Sequence, residues 1–93
     1  MIHIQFYSLL RLLLKREKLD LPSLADEKIA QLLRRIQQQV PTPFIHKLLD
    51  DQGKMHAGTI IMVNRRNIHH LKGLDTPVSD GDLVALFPPG AGG

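Results

Sequence analysis

The two ends of the chain alternate apolar and polar residues in the way that β-strands do. Ile2 to Phe6 places apolar side chains at every second position, which predicts a strand with one face on a core. Leu19 and Leu21 flank a polar residue in the same manner, and Pro22 is expected to end that strand because proline cannot donate to the ladder. Leu83 to Phe87 is predicted to be the last strand.

Helical spacing dominates the middle of the chain. Apolar residues recur every three or four positions from Ala25 to Val40, which predicts a helix that buries one stripe. Ser23 is expected to begin it by capping the amide of Asp26, with the acidic pair Asp26 and Glu27 in the first turn. Pro41 is expected to end it. Helical turns are also predicted over Leu9–Leu14 and Phe44–Leu49, and a buried strand over Thr59–Val63.

The order of these elements predicts an α+β domain. Two strands, one long helix and two or three further strands make a mixed sheet with one face packed on one main helix. The first and last strands can pair in parallel at the centre, which is the β-grasp architecture of ubiquitin. We expect a β-grasp domain over residues 1–87 and a flexible tail ending in Gly-Gly over residues 88–93.

The face of the sheet opposite the helix needs a separate explanation, because one helix covers only one face. Leu83, Ala85 and Phe87 fall on that second face by strand periodicity, and all three are apolar. Either they form a surface for a partner protein, or the segments 9–14 and 44–49 fold over them. The sequence leaves both interpretations open.

Composition removes several classes of function. Cysteine is absent from the 93 residues, which excludes disulfides, thiolate metal sites and cysteine nucleophiles. The five histidines show no recognisable ligand spacing, so no metal site is predicted. No strained nucleophile turn is evident, so the chain is not expected to be an enzyme. No apolar run is long enough to span a membrane, and we expect a cytoplasmic protein.

Basic residues give a formal net charge of +3 and fall into two small groups. One is Arg34-Arg35, and the other is Arg65-Arg66 with Lys72. These groups can be a solvated surface, a site for an acidic partner or a site for RNA. Aromatic residues interleaved with the charges, which RNA binding by base stacking uses, are absent, so nucleic acid is the weaker alternative.

The end of the sequence carries the clearest chemical signal. It reads Phe87-Pro88-Pro89-Gly90-Ala91-Gly92-Gly93. The prolines force an extended path, and the residues after them have almost no side chain. The six residues beyond Phe87 reach roughly 20 Å when fully extended, which suits a narrow channel in another protein. ATP could activate the Gly93 carboxylate as an acyl-adenylate, and a sulfur donor could then give a thiocarboxylate.

These features together resemble the MoaD family, the small subunit of molybdopterin synthase. The resemblance is densest from Leu74 to Pro89 and continues through Ala91-Gly92-Gly93. It also covers Ile2 to Tyr7 and Leu10-Arg11, with Val63-Asn64 in the third strand. It implies a β-grasp fold, and adenylation and thiocarboxylation of Gly93 by an E1-like adenylating enzyme. It further implies insertion of the tail into the large synthase subunit, where sulfur passes to a pterin precursor.

The resemblance also implies which residues meet the partners. They are Phe87 and Leu71. We assign to the same partner surface Tyr7 and Arg11, which lie in or beside the matched first segment, and Ala85, which lies on the uncovered face, around the tail of Pro88, Pro89, Gly90, Ala91 and Gly92. No cofactor is expected to stay bound, since ATP is used by the activating partner. The sequence departs from the family at Gly90, where a valine is usual, and at Arg65-Arg66, where a glycine turn is common.

Three other functions remain open at this stage. Relatives that supply sulfur for thiamine or cysteine synthesis share the Gly-Gly end, although they match Phe87-Pro88-Pro89 less well. A protein modifier would use the same activation and then join Gly93 to lysines of its targets. An RNA-binding β-grasp module would not need Gly93 at all.

Overall fold

Five strands and two α-helices make up residues 1–90, the part of the chain that this computed structural model describes. None of the helices in that part has the length and apolar character needed to cross a bilayer. The elements are β1 (Ile2–Phe6), α1 (Leu9–Leu14), β2 (Lys18–Leu21), α2 (Ile29–Gln39), β3 (Ile60–Val63), β4 (Arg66–Asn67) and β5 (Leu83–Phe87).

The strands form one mixed sheet in the order β2-β1-β5-β3-β4. β1 and β5 pair in parallel, and the other neighbours pair antiparallel. The two terminal strands therefore lie side by side in the interior of the sheet, as the sequence predicts. With α2 packed on one face, this arrangement confirms the predicted α+β fold, the β-grasp.

Alternate residues of the strands build the core against α2. Phe6 packs edge-on against Phe44, with ring centroids 6.4 Å apart, so the segment around residue 44 covers the same face as α2. A 3₁₀ turn follows at Ile45–Lys47, which confirms the predicted helical turn. The fully buried members of this core include Ile2, Ile4, Phe6, Leu10, Ile29, Leu32, Ile36, Phe44, Leu48, Ile61, Val84 and Leu86.

The start of α2 differs from the prediction. The helix begins at Ile29 rather than at Ser23, and Ala25 is exposed instead of belonging to the apolar stripe. Asp26 has a φ of 59°, in the left-handed region, which a right-handed helix cannot contain. The Ile29 amide donates instead to the carbonyl of Thr76 at 3.0 Å. A contact with a distant loop therefore sets the first turn.

Glu27 has a structural role that the sequence does not reveal. Its carboxylate is 4% exposed and accepts two hydrogen bonds of 2.8 Å from the guanidinium of Arg35. The same guanidinium donates to the carbonyl of Pro22 at 2.7 Å. A buried carboxylate must be paired, and this bidentate ion pair meets that need. It therefore fixes the connection between β2 and α2.

Two turns at one end of the sheet set the register of β5. Asn64 and Arg65 both have positive φ, 52° and 70°, as a two-residue hairpin between β3 and β4 requires. The Asn64 side chain accepts a hydrogen bond of 2.9 Å from the amide of Leu83. Gly81 has a φ of 90° in the turn predicted before β5, a conformation that favours glycine.

The polar loop predicted over residues 50–54 is also present. The carboxylate of Asp50 accepts hydrogen bonds from the amides of Gln52 and Lys54, at 2.8 and 2.9 Å. The bond from the Lys54 amide is the largest of the causes that lower the pKa of Asp50, and the bond from the Gln52 amide adds to it, because each favours the ionised carboxylate.

Candidate functional site

The path of the chain out of the sheet is defined by β5. This strand is paired with β1 up to Leu86 and with β3 up to Phe87, which lies opposite Ile60. The amide of Tyr7 adds a hydrogen bond of 3.1 Å to the carbonyl of Leu86. The chain therefore leaves an interior strand from one fixed point.

The two prolines after β5 are packed on the body of the protein. Pro88 is buried and Pro89 is half-buried. Gly58, with a φ of 90°, lies against Pro89, and a Cβ at that position would be 3.5 Å from the Cβ of Pro89. Gly90 is exposed, and a Cβ there would have no heavy atom within 4 Å. The body thus holds the chain as far as Pro89 and leaves room for a side chain at Gly90.

The rest of the predicted tail lies outside the described residues. This applies to Ala91, Gly92 and Gly93. The predicted division between a domain over 1–87 and a tail over 88–93 stays a prediction, although the first of those six residues, Pro88, is buried.

Three of the predicted partner-binding residues form one cluster at the end of β5. The rings of Tyr7 and Phe87 are stacked, with centroids 4.3 Å apart and planes 10° from parallel. The guanidinium carbon of Arg11 lies 5.7 Å from the centre of the Tyr7 ring, and its nearest acid is Glu17 at 3.6 Å. The Tyr7 hydroxyl donates to the Gln5 side chain. This aromatic cluster is partly exposed and borders the tail.

The open face, the side of the sheet away from α2, continues from this cluster. Leu83, Ala85 and Phe87 are half-buried on it. Across the strand pair, Met62 lies opposite Ala85, and Ile60 lies opposite Phe87, so their side chains share the same face. The buried residues of segments 9–14 and 44–49 belong to the core instead, so neither segment covers these apolar side chains, and among them Phe87 is in contact with the Tyr7 ring. A contiguous apolar strip of this kind is typical of a partner surface.

Polar residues border the open face along β1 and β2. His3 pairs with Leu83 in the sheet register and with Asp20 on its other side. Its Nδ1 lies 2.8 Å from the Asp20 carboxylate, and both side chains are about half exposed. The apolar strip therefore has a charged border on one side, as protein interfaces commonly do.

Leu71 lies apart from the other predicted partner-binding residues. It lines a groove with Val63 and Asn64, next to the first residue of β5. The aromatic cluster lies at the last residue of β5, about 13 Å away along the strand. The structure thus brings together Tyr7, Arg11 and Phe87, with Ala85 on the same face as Phe87, and leaves Leu71 in a separate groove.

A cavity beside the prolines is a feature that the sequence analysis misses. It measures about 450 Å³, and its wall contains His56, whose Nε2 lies 2.8 Å from the carbonyl oxygen of His46. No three histidine, aspartate or glutamate side chains within residues 1–90 come together as a metal site would need, and the absence of a metal stays a prediction. The cavity is lined by Leu9, Leu10, Leu13, His46, Lys47, His56, Pro88 and Pro89.

Comparison with solved structures supports the fold. The crystal structure of small archaeal modifier protein 1 from Haloferax volcanii has a TM-score of 0.82 at 18% identity, and covers 99% of this chain and 98% of its own. A chain of the BexX/CysO complex from Amycolatopsis orientalis has a TM-score of 0.79 at 19% identity and full coverage of both chains. At these identities the similarity shows a shared fold.

Comparison of sequences shows the family. The ThiS family profile matches residues 4–93. A candidate sulfur carrier protein of Archaeoglobus fulgidus is 32% identical over 74 residues, which is 80% of this chain and 84% of the relative. Small archaeal modifier protein 3 of Haloferax volcanii is 32% identical over 68 residues, 73% of this chain and 72% of the relative. The chain therefore belongs to the ThiS family of small β-grasp proteins, which comprises sulfur carriers and ubiquitin-like modifiers.

Proposed function

We propose that this protein carries sulfur on the carboxylate of Gly93, which an E1-like adenylating enzyme activates with ATP. The observation that supports this most is the path of the chain at its C-terminal end. It leaves the interior strand β5, passes through two prolines packed on the body, and continues into glycine and alanine, which have almost no side chain. Pro88 is buried while Gly90 has open space around it. In a member of the ThiS family, this arrangement suits a chain end offered to the active site of another protein.

The proposed chemistry needs no catalytic group from this chain. A carboxylate oxygen of Gly93 attacks the α-phosphorus of ATP, and pyrophosphate leaves. Hydrosulfide then attacks the acyl carbon, and AMP leaves with the bonding electrons, so that a thiocarboxylate remains and no oxidation or reduction occurs. The activating enzyme supplies the acid, base and electrostatic groups, and this chain supplies the acyl group and the docking surface.

For the recipient of the sulfur, we propose molybdopterin synthesis. The tail would enter the large subunit of molybdopterin synthase, and the thiocarboxylate sulfur would pass to a pterin precursor. The resemblance of Leu74 to Pro89 and of Ala91 to Gly93 to the MoaD family supports this choice. The open face and the aromatic cluster of Tyr7, Arg11 and Phe87 are the surfaces that we expect both partners to cover. Thiamine and cysteine synthesis are the alternative recipients.

Intact-mass spectrometry tests the carrier function directly. The chain is incubated with ATP, hydrosulfide and the activating enzyme from the same cells, and the expected result is a gain of roughly 16 Da, because sulfur replaces one oxygen. The matched control lacks Gly93 and should gain nothing. The mass of the untreated protein first establishes that Gly93 is the last residue. An unchanged mass with every cognate activating enzyme would refute the proposal.

A second function, as a protein modifier, is favoured by one relative, which bears the name small archaeal modifier protein 3. In this case the activated Gly93 carbonyl would form an amide with a lysine of a target protein. Conjugates that resist thiol reductants and disappear when Gly93 is deleted would support it. Conversely, a chain recovered from cells only as free thiocarboxylate or free carboxylate would favour the carrier function alone.

A further inference from the structure

We propose that a groove at the β3–β4 hairpin docks an acidic segment of the activating enzyme. This inference rests on the function proposed above and adds a second contact to it. The groove, called here the hairpin groove, has a volume of about 450 Å³ and is lined by Val63, Asn64, Arg66, Leu71, Lys72, Thr76 and Pro77.

The charge of the hairpin groove is one-sided. Arg66 and Lys72 line it, Arg65 is exposed in the adjoining turn, and no aspartate or glutamate belongs to the lining. None of these three cations takes part in the ion pairs found within residues 1–90. The nearby carboxylate of Asp82 is already bonded, to the side-chain amide of Asn64 at 2.9 Å and to the backbone amide of Ser79 at 2.8 Å. The lining therefore carries positive side chains and no negative one, and the Asp82 carboxylate lies outside it.

The floor of the hairpin groove is apolar, and this favours a protein over a nucleic acid. Val63 is 7% exposed and Leu71 is half-buried, so an apolar side chain in the groove can contact them while its neighbours meet the two cations of the lining. The lining contains no aromatic ring, whereas proteins that bind single-stranded nucleic acid use such rings to stack bases. A segment that carries carboxylates around one apolar residue matches both properties of the groove.

The hairpin groove is separate from the open face but lies at the same end of the sheet as Leu83. Arg66 pairs with the core residue Val63, so its side chain points to the helix-covered side of the sheet. The backbone amide of Asn64 donates to the carbonyl of Leu83 at 2.8 Å, and Leu83 is the last apolar residue of the open face. A protein that covers the open face from Phe87 to Leu83 therefore reaches the end of the sheet at which the groove lies on the other side.

The hairpin turn also keeps a charged residue where glycine would fit better. Arg65 has a φ of 70°, at the second position of a two-residue turn that commonly holds glycine. A non-glycine residue in this conformation costs stability, and such costs are concentrated at functional sites. The turn thus presents a third guanidinium beside the groove.

The test is a pair of matched double variants. The double variant Arg66→Glu with Lys72→Glu reverses the charge of the groove. The control, Arg34→Glu with Lys54→Glu, makes the same change in net charge at exposed positions of α2 and of the 50–54 loop. Pyrophosphate exchange by the activating enzyme gives KM and kcat for each. We expect the groove variant to raise KM about tenfold or more, with kcat within about twofold, and to weaken the salt dependence of KM. The control should stay within about twofold.

Further measurements separate the possible failures. Thermal unfolding monitored by circular dichroism checks that both double variants fold. A third double variant, Arg66→Gln with Lys72→Gln, removes the charge without reversing it and should give an intermediate rise in KM. Equal KM values for the charge-reversed groove variant and the charge-reversed control would overturn the inference while leaving the proposed function intact. If the wild-type chain is not adenylated at all, the proposed function is wrong, and this inference fails with it. Salt-dependent binding of a fluorescent single-stranded RNA that is lost in the groove variant, with KM unchanged, would instead assign the groove to nucleic acid and overturn the inference.

Discussion

The two faces of the sheet use similar residues for different purposes. On the helix-covered face, Ile4, Val84 and Leu86 are 0% exposed and belong to one core. On the open face, Leu83, Ala85 and Phe87 alternate with Val84 and Leu86 along β5 and remain half-buried. Burial explains why the first set is apolar, because the removal of apolar side chains from water stabilises the core. The second set adds less to the core, so its apolar character is better explained by a partner that covers it.

Matched substitutions of two leucines in β5 test this contrast most strongly. Leu86→Ala should lower the free energy of unfolding by about 3 kcal/mol, because it leaves a cavity in a fully buried core. Leu83→Ala removes the same atoms from the open face and should cost about 1 kcal/mol or less. Denaturant unfolding of both variants measures the difference. Equal losses would show that the open face is part of the core.

Phe87→Ala should separate docking from folding. Its ring stacks on Tyr7 with centroids 4.3 Å apart but is not fully buried, so we expect a loss of only about 1 kcal/mol in unfolding free energy. If a partner covers the ring, KM for adenylation should rise about tenfold. Pyrophosphate exchange and denaturant unfolding measure the two effects. A large loss of stability with an unchanged KM would make the aromatic cluster structural.

Arg65→Gly should stabilise the fold slightly. The φ of 70° at this position suits glycine, and relief of the backbone cost outweighs the added freedom of the unfolded chain, so we expect a gain of about 0.5 kcal/mol. Arg65→Lys keeps both the charge and the conformational cost, and should leave stability unchanged. Thermal unfolding of the two variants measures this effect. Destabilisation by glycine would mean that the Arg65 side chain holds the hairpin in place.

Gly90→Val should have the smallest effect on folding. A Cβ at Gly90 meets nothing within 4 Å, so the unfolding free energy should change by less than about 0.5 kcal/mol. Any effect on the KM for adenylation would then come from contact with the activating enzyme. If valine supplies the anchor that is usual in the MoaD family, KM should fall about twofold to fivefold. A rise in KM would show that the partner's channel excludes a side chain here.

The strands could be predicted from the sequence because their cause is local. Alternation within Ile2–Phe6 and Leu83–Phe87 reports which side chains face the core, and the structure confirms both ranges. The start of α2 could not be predicted in this way. It depends on a bond from Ile29 to Thr76 and on the pairing of Glu27 with Arg35, and neither contact follows from the spacing of residues along the chain.

The candidate site was predictable only in part for the same reason. Alternation places Ala85 and Phe87 on one face, and the family resemblance adds Tyr7 and Arg11, which the structure brings together with Phe87. The resemblance also adds Leu71, which the structure places in the hairpin groove. The cavity beside Pro88 has no signal in the sequence, because its walls come from segments that are far apart in the chain.

The most direct test of the account is the chemical state of Gly93 in the chain as isolated from its own cells. The purified protein is treated with a thiol-alkylating reagent and digested, and its last peptide is fragmented in a mass spectrometer. The account predicts a fraction of chains with the alkyl group on a sulfur at the carbonyl of Gly93, since the chain contains no cysteine. A terminal carboxylate that carries no sulfur in any chain when sulfur and ATP are abundant would contradict it.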